Sequence, residues 1–575
     1  MPSRIQLEKI IPPPPRDPAA VQALAKDLNV PEIIASLLLL RDLGSAEKAS
    51  AFFDPKLSGL HSPFLFPDME KAVERILTAL REKEKICIYG DYDVDGITAI
   101  ALLYRYLQSL NADVFHYIPD RLKEGYGLSE TGIRWIHGQG ARLIVTVDCG
   151  ITADKEAALI SGLDMDLIIT DHHLPLETLP RALALINPKL PGTYPDQELS
   201  GVGVAFKLAQ AIQERLQQGQ NAADNGAIME YLDLVSIGTL ADIVPVIGEN
   251  RILIKSGLRN LKKSACEGVK ALLLTTGLYD KDIQASHVAF SLAPLINAAG
   301  RMGDPELALT LFTTPDPGKA QEAAKKLLAC NEQRKRLDQS ITEQCCRMID
   351  EKIDLSRTFF LVLSSEGWHA GVMGIVASRL LEKYCRPVLM LSIENGSAKG
   401  SARSVGDFHI LEAIQSCADL LSDFGGHKQA AGLELKRENI PALSQRLNAR
   451  AESHFSQADF VPVVRTDLTI EDLDGLNWDV MHALKKFEPF GQKNARPLFY
   501  APDLAVVGGA RIVGNNHLKF RVARERVSFD AVAFRMGHRL SDVSRPGKRV
   551  TLAFHAEENE WNGDRTIQLN VRGIE

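Results

Sequence analysis

Paired cysteines, long apolar runs, internal repeats and any surplus of positive charge are all missing from this chain of 575 residues. Each absence excludes a class of protein. The eight cysteines (87, 149, 266, 330, 345, 346, 385 and 417) contain no C-x-x-C pair, so they read as reduced thiols rather than a disulfide framework or a zinc site. The longest apolar run near the N-terminus, Ile33 to Leu40, stops at Arg41-Asp42 and predicts a buried helix rather than a membrane span. No basic stretch followed by an apolar segment and a small-residue cleavage site opens the chain, so a cytoplasmic protein without membrane contact is expected. The net charge of −7 argues against a uniformly basic nucleic-acid coat, but it leaves room for local basic patches.

The chain is too long for one hydrophobic core, and two to four domains are expected. An N-terminal arm, residues 1–75, begins with Ile11-Pro12-Pro13-Pro14-Pro15 and continues as short helices. From Lys85 onward short apolar runs alternate with amphipathic helical stretches, the pattern of β-α-β units around a mainly parallel sheet. Strands are predicted at 85–89, 114–118, 142–147 and 166–170, within a domain of residues 76–305. Charged helical periodicity follows over 306–355, including one long connecting helix. A smaller α/β domain is expected at 356–457, with strands at 359–363 and 387–392. After residue 458 the alternation becomes β-like, as in Leu518-Lys519-Phe520-Arg521-Val522, and a small β-barrel would suit it.

Three acid clusters each begin where a predicted parallel strand ends. Tyr89 runs into Gly90-Asp91-Tyr92-Asp93-Val94-Asp95-Gly96, Val147 into Asp148-Cys149-Gly150, and Thr170 into Asp171-His172-His173. In an open α/β sheet those carboxyl ends share the edge where ligands bind, so the three clusters should converge. Carboxylates packed that closely repel one another unless divalent cations take their oxygens as ligands. Oxygen and imidazole donors without thiolate favour Mn²⁺ or Mg²⁺ over structural zinc. Two such ions sharing a carboxylate activate water for attack on phosphorus and steady the leaving oxygen, which implies phosphoester hydrolysis. Any one Asp after a strand is more often a turn or helix-cap residue; three in one sheet are not.

Together with Gly238-Thr239-Leu240-Ala241-Asp242, these segments resemble the four ordered motifs of the DHH phosphoesterase family. The resemblance implies Asp93, Asp95, Asp148, His172 and Asp242 as ligands of two Mn²⁺ or Mg²⁺ ions, with Asp148 bridging. It also implies His173 as a catalytic or outer-sphere group and Asp91 as an outer carboxylate. Other stretches are similar to the branch of the family that degrades single-stranded DNA. Asp120 to Leu128 and Ile296 to Met302 place Arg121 and Arg301 to hold phosphate, for which the guanidinium fork is suited. Gly367 to Arg379, Gly400 to Ser404 and Gly425 to Gly432 resemble the DHH-associated domain, implying His369, Arg379, Ser401, Arg403, Gly425, Gly426 and His427 as substrate-binding residues.

The acidic balance reverses in residues 501–550, where ten Lys and Arg stand against four Asp and Glu. Basic residues interleaved with Phe520, Phe529 and Phe534 fit an OB-fold that tracks phosphates and stacks bases, with Lys519, Arg521 and Arg524 as candidate contacts. The resemblance extends through this region and includes Pro489-Phe490-Gly491, although Lys493 stands where glycine is expected. It implies 5′ to 3′ hydrolysis of single-stranded DNA to mononucleotides in repair and recombination. A monomer is expected, with helicase or single-strand-binding protein as family-suggested partners. Two alternatives stay open: a DHH phosphodiesterase for short oligonucleotides or cyclic dinucleotides, and a noncatalytic DNA-binding scaffold.

Overall fold

A computed structural model describes residues 9–120, 124–192, 194–217, 226–561 and 563–575. They form two compact units, one of residues 47–334 with 487–495, the other of residues up to 46, 335–486 and 496–575.

The first unit is built on a five-stranded parallel sheet. Its order is Val114–Tyr117, Lys85–Gly90, Ala141–Val147, Asp166–Thr170 and Ala184–Ile186. Alternation along each strand sends neighbours to opposite faces. Ile86, Ile88 and Val145 therefore join one buried cluster with the helices Val94–Ser109 and Gly201–Gln217. Cys87, Tyr89 and Ile144 join another with the helices Glu130–Gly138 and Asp154–Gly162. Because both faces are covered, the three central strands read as largely apolar runs. The short edge strand Ala184–Ile186 was not expected from the sequence, since three residues give no periodicity to read.

In the second unit the sheet order is Leu421–Gly426, Ala430–Lys436, Ser397–Arg403, Val388–Glu394 and Leu361–Glu366. Only the last two strands pair in parallel; the other three neighbouring pairs are antiparallel. Helix Ala370–Tyr384 packs on this sheet. The barrel strands run Phe499–Val513, His517–Arg524, Val527–Ala533, Asp564–Ile574 and Arg549–Trp561, and the last pairs back onto the first, closing the sheet. Leu518, Phe520 and Val522 point into its core while Arg521 points out. The run Ile33 to Leu40 forms the buried helix expected, Glu32–Leu40. Among the described residues no helix is long and apolar enough to cross a membrane.

Candidate metal centre and substrate-binding residues

The carboxyl ends of the three central strands lie side by side, and the acid clusters meet there. Asp91, Asp93 and Asp148 form one group whose oxygens lie within 4.8 Å of one another. Two more groups, Asp148 with His172 and His173, and Asp95 with His172 and Asp242, meet the same limit. Asp148 and His172 each belong to two groups. His172 Nε2 stands 3.1 Å from Asp148 Oδ1, 3.4 Å from Asp242 Oδ2 and 4.0 Å from Asp95 Oδ2.

Local structure fixes each of these side chains. Asp93 caps helix Val94–Ser109, its Oδ1 accepting the Gly96 N–H at 3.0 Å. Asp95 is 1% exposed and accepts two N–H groups, from Gly201 at 2.7 Å and Val202 at 2.9 Å, at the start of helix Gly201–Gln217. Gly201 is needed because the Asp148 carboxylate lies against it: a Cβ there would sit 2.4 Å from Asp148 Oδ1. Asp148 itself has φ of 59°, a left-handed conformation that a non-glycine residue adopts at a cost and that concentrates at functional sites.

Burial and mutual repulsion raise the proton affinity of this cluster. Burial first and Asp93 second push Asp95 up to about 7. Burial, then Asp95 and Asp93, push Asp242 up to about 9. Asp148 rises well above the ordinary carboxyl range through burial and the charge of Asp95. His172 is lowered to about 3, by burial and then by His173, which leaves a neutral imidazole. Asp148 Oδ1 and His172 Nε2 are buried without a hydrogen-bond partner among the described residues. Two donors aimed at each other, in an oxygen and imidazole set without thiolate, fit a hard divalent cation.

Asp171 and Tyr126 are residues that sequence reasoning left without a role. Asp171 Oδ1 accepts the His172 and His173 N–H groups at 2.7 and 3.1 Å and stands 2.7 Å from His173 Nδ1, while Oδ2 accepts from Ile151 N at 2.9 Å. Burial would lower the proton affinity of His173, but the Asp171 contact outweighs it and raises it. Tyr126 Oη lies 3.2 Å from both the Asp148 carbonyl and His173 Nδ1. Position two residues before the second histidine was the available signal for Asp171; nothing in the sequence singled out Tyr126.

The other candidates divide between the two units. Arg301 lies near the end of helix Ala293–Met302, and its neighbour Gly300 packs on the Tyr92 carbonyl between Asp91 and Asp93. Arg121 lies outside the described residues. In the second unit Ser401, Gly432 and Gly425 are in register across three strands, with Arg403 beside Ala430 and Gly426 beside Ala431. Arg403 Nη1 donates to Ser401 Oγ at 3.1 Å. Gly425 and Gly426 therefore end a strand rather than form a loop, and the His427 N–H donates to Ala430 O across the turn. His369 caps helix Ala370–Tyr384, its Nδ1 accepting the Gly371 N–H at 3.1 Å, and Arg379 pairs with Asp338 at 2.7 Å. In the barrel, Lys519 and Arg521 both face Asp530, at 3.5 and 3.4 Å, and the Arg524 guanidinium donates to the carbonyls of Ile470, Glu471 and Pro502.

A parallel-sheet unit with clustered carboxylates and histidines at its strand ends, an antiparallel-edged α/β domain and a barrel define the phosphoesterase class. Residues 85–239 match the DHH family, N-terminal domain, residues 357–453 the DHHA1 domain, and residues 466–573 the RecJ OB domain. The chain is 38% identical over 561 residues to the single-stranded-DNA-specific exonuclease RecJ of Bacillus subtilis, spanning 97% of this chain and 69% of that one. It also resembles the crystal structure of RecJ in complex with Mn²⁺ from Thermus thermophilus, with a TM-score of 0.83 and 32% identity, covering 100% of this chain and 80% of the other. The Mg²⁺ complex from the same organism matches with a TM-score of 0.77 and 31% identity, covering 99% and 78%. The chain belongs to the RecJ family.

Proposed function

We propose that the protein is a metal-dependent exonuclease that hydrolyses single-stranded DNA at the carboxylate and histidine cluster. The observation that carries this reading is Asp148, buried, left-handed in its backbone and a member of two ligand groups at once. Asp93, Asp95, Asp148, His172 and Asp242 would hold two Mn²⁺ or Mg²⁺ ions, with Asp148 shared. When bound, such ions activate water and offset the charge that gathers on the phosphoryl oxygens. The chain's own groups do the rest. His172 offers a neutral ring nitrogen, and Asp91 adds an outer carboxylate. His173, held by Asp171, keeps a proton for the leaving oxygen.

Arg301 would hold phosphate beside the cluster, as would Arg121 by its motif. In residues 356–457, Ser401, Arg403, Gly425, Gly426 and His427 would take the rest of the substrate, with His369 and Arg379 supporting them. The barrel of residues 458–575 would grip the strand further along. Polarity from 5′ to 3′, mononucleotide products, a cytoplasmic monomer, helicase or single-strand-binding partners and a place in repair and recombination follow as expectations of family membership. The test compares single-stranded DNA, duplex DNA, RNA and dinucleotides as substrates, with Mn²⁺ and with EDTA. Mn²⁺-dependent release of nucleotides from single-stranded DNA alone is expected; equal cleavage of dinucleotides, or none of any substrate, would overturn the reading.

A further inference from the structure

The compact unit that holds the carboxylates is not one stretch of sequence. Residues 487–495 group with it, although their neighbours on either side, up to Lys486 and from Arg496, group with the other unit. Pro489-Phe490-Gly491 stood out in the sequence without a function to absorb it. Its surroundings are built to hold backbone in place. Arg251 is 2% exposed and donates to the carbonyls of Phe487, Glu488 and Pro489 at 3.1, 2.9 and 3.3 Å, and to Phe52 O at 2.7 Å. Asn494, fully buried, donates to the Phe487 and Pro489 carbonyls at 2.7 and 2.8 Å. The Phe487 ring packs edge-on against Phe52 and Phe53.

What this segment touches is the loop that follows Asp242. The Val246 N–H donates to Gln492 O at 2.9 Å, and Pro245 bridges to Gln492 in parallel. Gly491 lies so close to Val246 that an added Cβ would sit 2.4 Å from its Cγ2. Lys493 keeps the left-handed conformation that a glycine would take, with φ of 55°, and its Nζ reaches Glu198 at 2.8 Å. The loop containing Glu198 leads into Gly201 and Val202, whose N–H groups hold Asp95. Asn250 ties the two loops together, donating to both Glu198 O and Pro245 O.

We propose that residues 487–495 are a positioning element for the metal centre, setting the backbone that presents Asp242 and, through the 198–202 loop, Asp95. The inference rests on the reading of Asp242 and Asp95 as ligands, and Asp242→Ala and Asp95→Ala, each of which should lose Mn²⁺ binding, check that reading separately.

The test uses the full chain and Mn²⁺ alone, titrated by calorimetry and by the paramagnetic resonance of the free ion, with no substrate present. Gly491→Ala should weaken Mn²⁺ binding about 10- to 100-fold, the usual effect of losing a group that orients a ligand. Val246→Ala removes the methyl that the new Cβ would strike, so the double variant Gly491→Ala/Val246→Ala should regain most of that affinity. Gly509→Ala, where an added Cβ meets nothing within 4 Å, should bind Mn²⁺ as the wild type does. Should Gly491→Ala fail to fold, Lys493→Ala tests the exposed contact to Glu198, with a loss of about 2- to 5-fold expected from a surface ion pair. Unchanged Mn²⁺ affinity in a folded Gly491→Ala protein, or in Lys493→Ala where that is the variant that folds, overturns the proposal. So does a folded double variant that stays as weak as the single one.

Discussion

At the edge of the parallel sheet, charged side chains are buried and face others of the same sign; on the barrel several face opposite charges or carbonyls. Beyond burial, Asp95 raises the proton affinity of Asp148 and Asp242, and Asp93 raises that of all three. Lys519 and Arg521 share Asp530, Arg549 pairs with Asp503, and Arg539 is taken up by Asp542 and the Ile574 carbonyl. Buried like charges need a partner from outside the chain, because the N–H groups that Asp95 accepts do not offset burial and the charge of Asp93. Exposed charges already paired need none, and each pair contributes little. A surplus of one charge in the sequence is therefore weak testimony until its internal partners are known, whereas acids at buried strand ends are strong testimony.

The largest effect is expected from Asp148→Ala. Losing a carboxylate that serves two ligand groups should cost at least about 10³-fold in the rate of hydrolysis, or roughly 4 kcal/mol of transition-state stabilisation. Single-turnover hydrolysis, beside circular dichroism to confirm the fold, measures it; near wild-type turnover in a folded variant ends the two-ion reading.

The second prediction concerns removal of metal. Asp95 and Asp242 have folded values raised above the ordinary 3.8, to about 7 and about 9. A raised carboxyl stabilises the fold at low pH, and that contribution is lost as pH climbs through the folded value. The EDTA-treated protein should therefore melt at progressively lower temperature from about pH 4 to about pH 9. Adding Mn²⁺ at about a hundred times the Kd it has at pH 7 should return about 2.7 kcal/mol per ion at that pH, and the same concentration should return more at higher pH because binding releases protons. A melting temperature that rises with pH in EDTA, with no response to Mn²⁺, would show that the carboxylates are satisfied from within.

Much of the fold was legible because burial on both faces leaves a plain mark. Ile86 to Tyr89, Leu143 to Val147 and Leu167 to Thr170 are buried runs, apolar but for Thr146 and Thr170, and each leads into an acid where the chain leaves the sheet. The antiparallel strands of the second unit left no such mark, since Ser397–Arg403 and Leu421–Gly426 mix glycine, serine and charge. Their pairing is set by distant partners. Asp171 was passed over for a related reason, since its value lies in what it accepts from His172, His173 and Ile151 rather than in its position after a strand. Pro489-Phe490-Gly491 stood out, but where residues 487–495 dock was beyond reach, because no local pattern says that a segment will lie against residue 246.

A smaller effect is expected at Asp171. Asp171→Asn keeps the size and removes the charge that holds a proton on His173. The loss should be about 10-fold in turnover, in line with groups that orient a catalytic neighbour. Its signature is the pH profile. With the raised proton affinity of His173 gone, the alkaline limb that depends on protonated His173 should move to lower pH. Loss of rate without that movement would make Asp171 a purely structural residue.

The smallest effects belong to the barrel. Among the described residues Arg511, Arg526, Arg535, Arg545 and Lys548 are exposed, and none of their side chains has an ion pair or hydrogen bond within the chain. Phe534 is 50% exposed, whereas Phe520 is core. If single-stranded DNA runs over this face, the unpaired cations should meet its phosphates and the paired ones should not, because a phosphate must first compete with Asp530 for Lys519 or Arg521. Arg511→Ala and Arg535→Ala should each flatten the logarithmic dependence of single-strand affinity on salt by about 0.7, the share of one neutralised phosphate. Lys519→Ala should leave the slope nearly unchanged. Asp530→Asn should do the opposite of both, freeing two cations and tightening binding at low salt. Fluorescence anisotropy of a labelled single strand across a salt series measures all four. Equal loss from Lys519→Ala and Arg511→Ala, with no gain from Asp530→Asn, would show that internal pairing does not decide which cations of the barrel reach DNA.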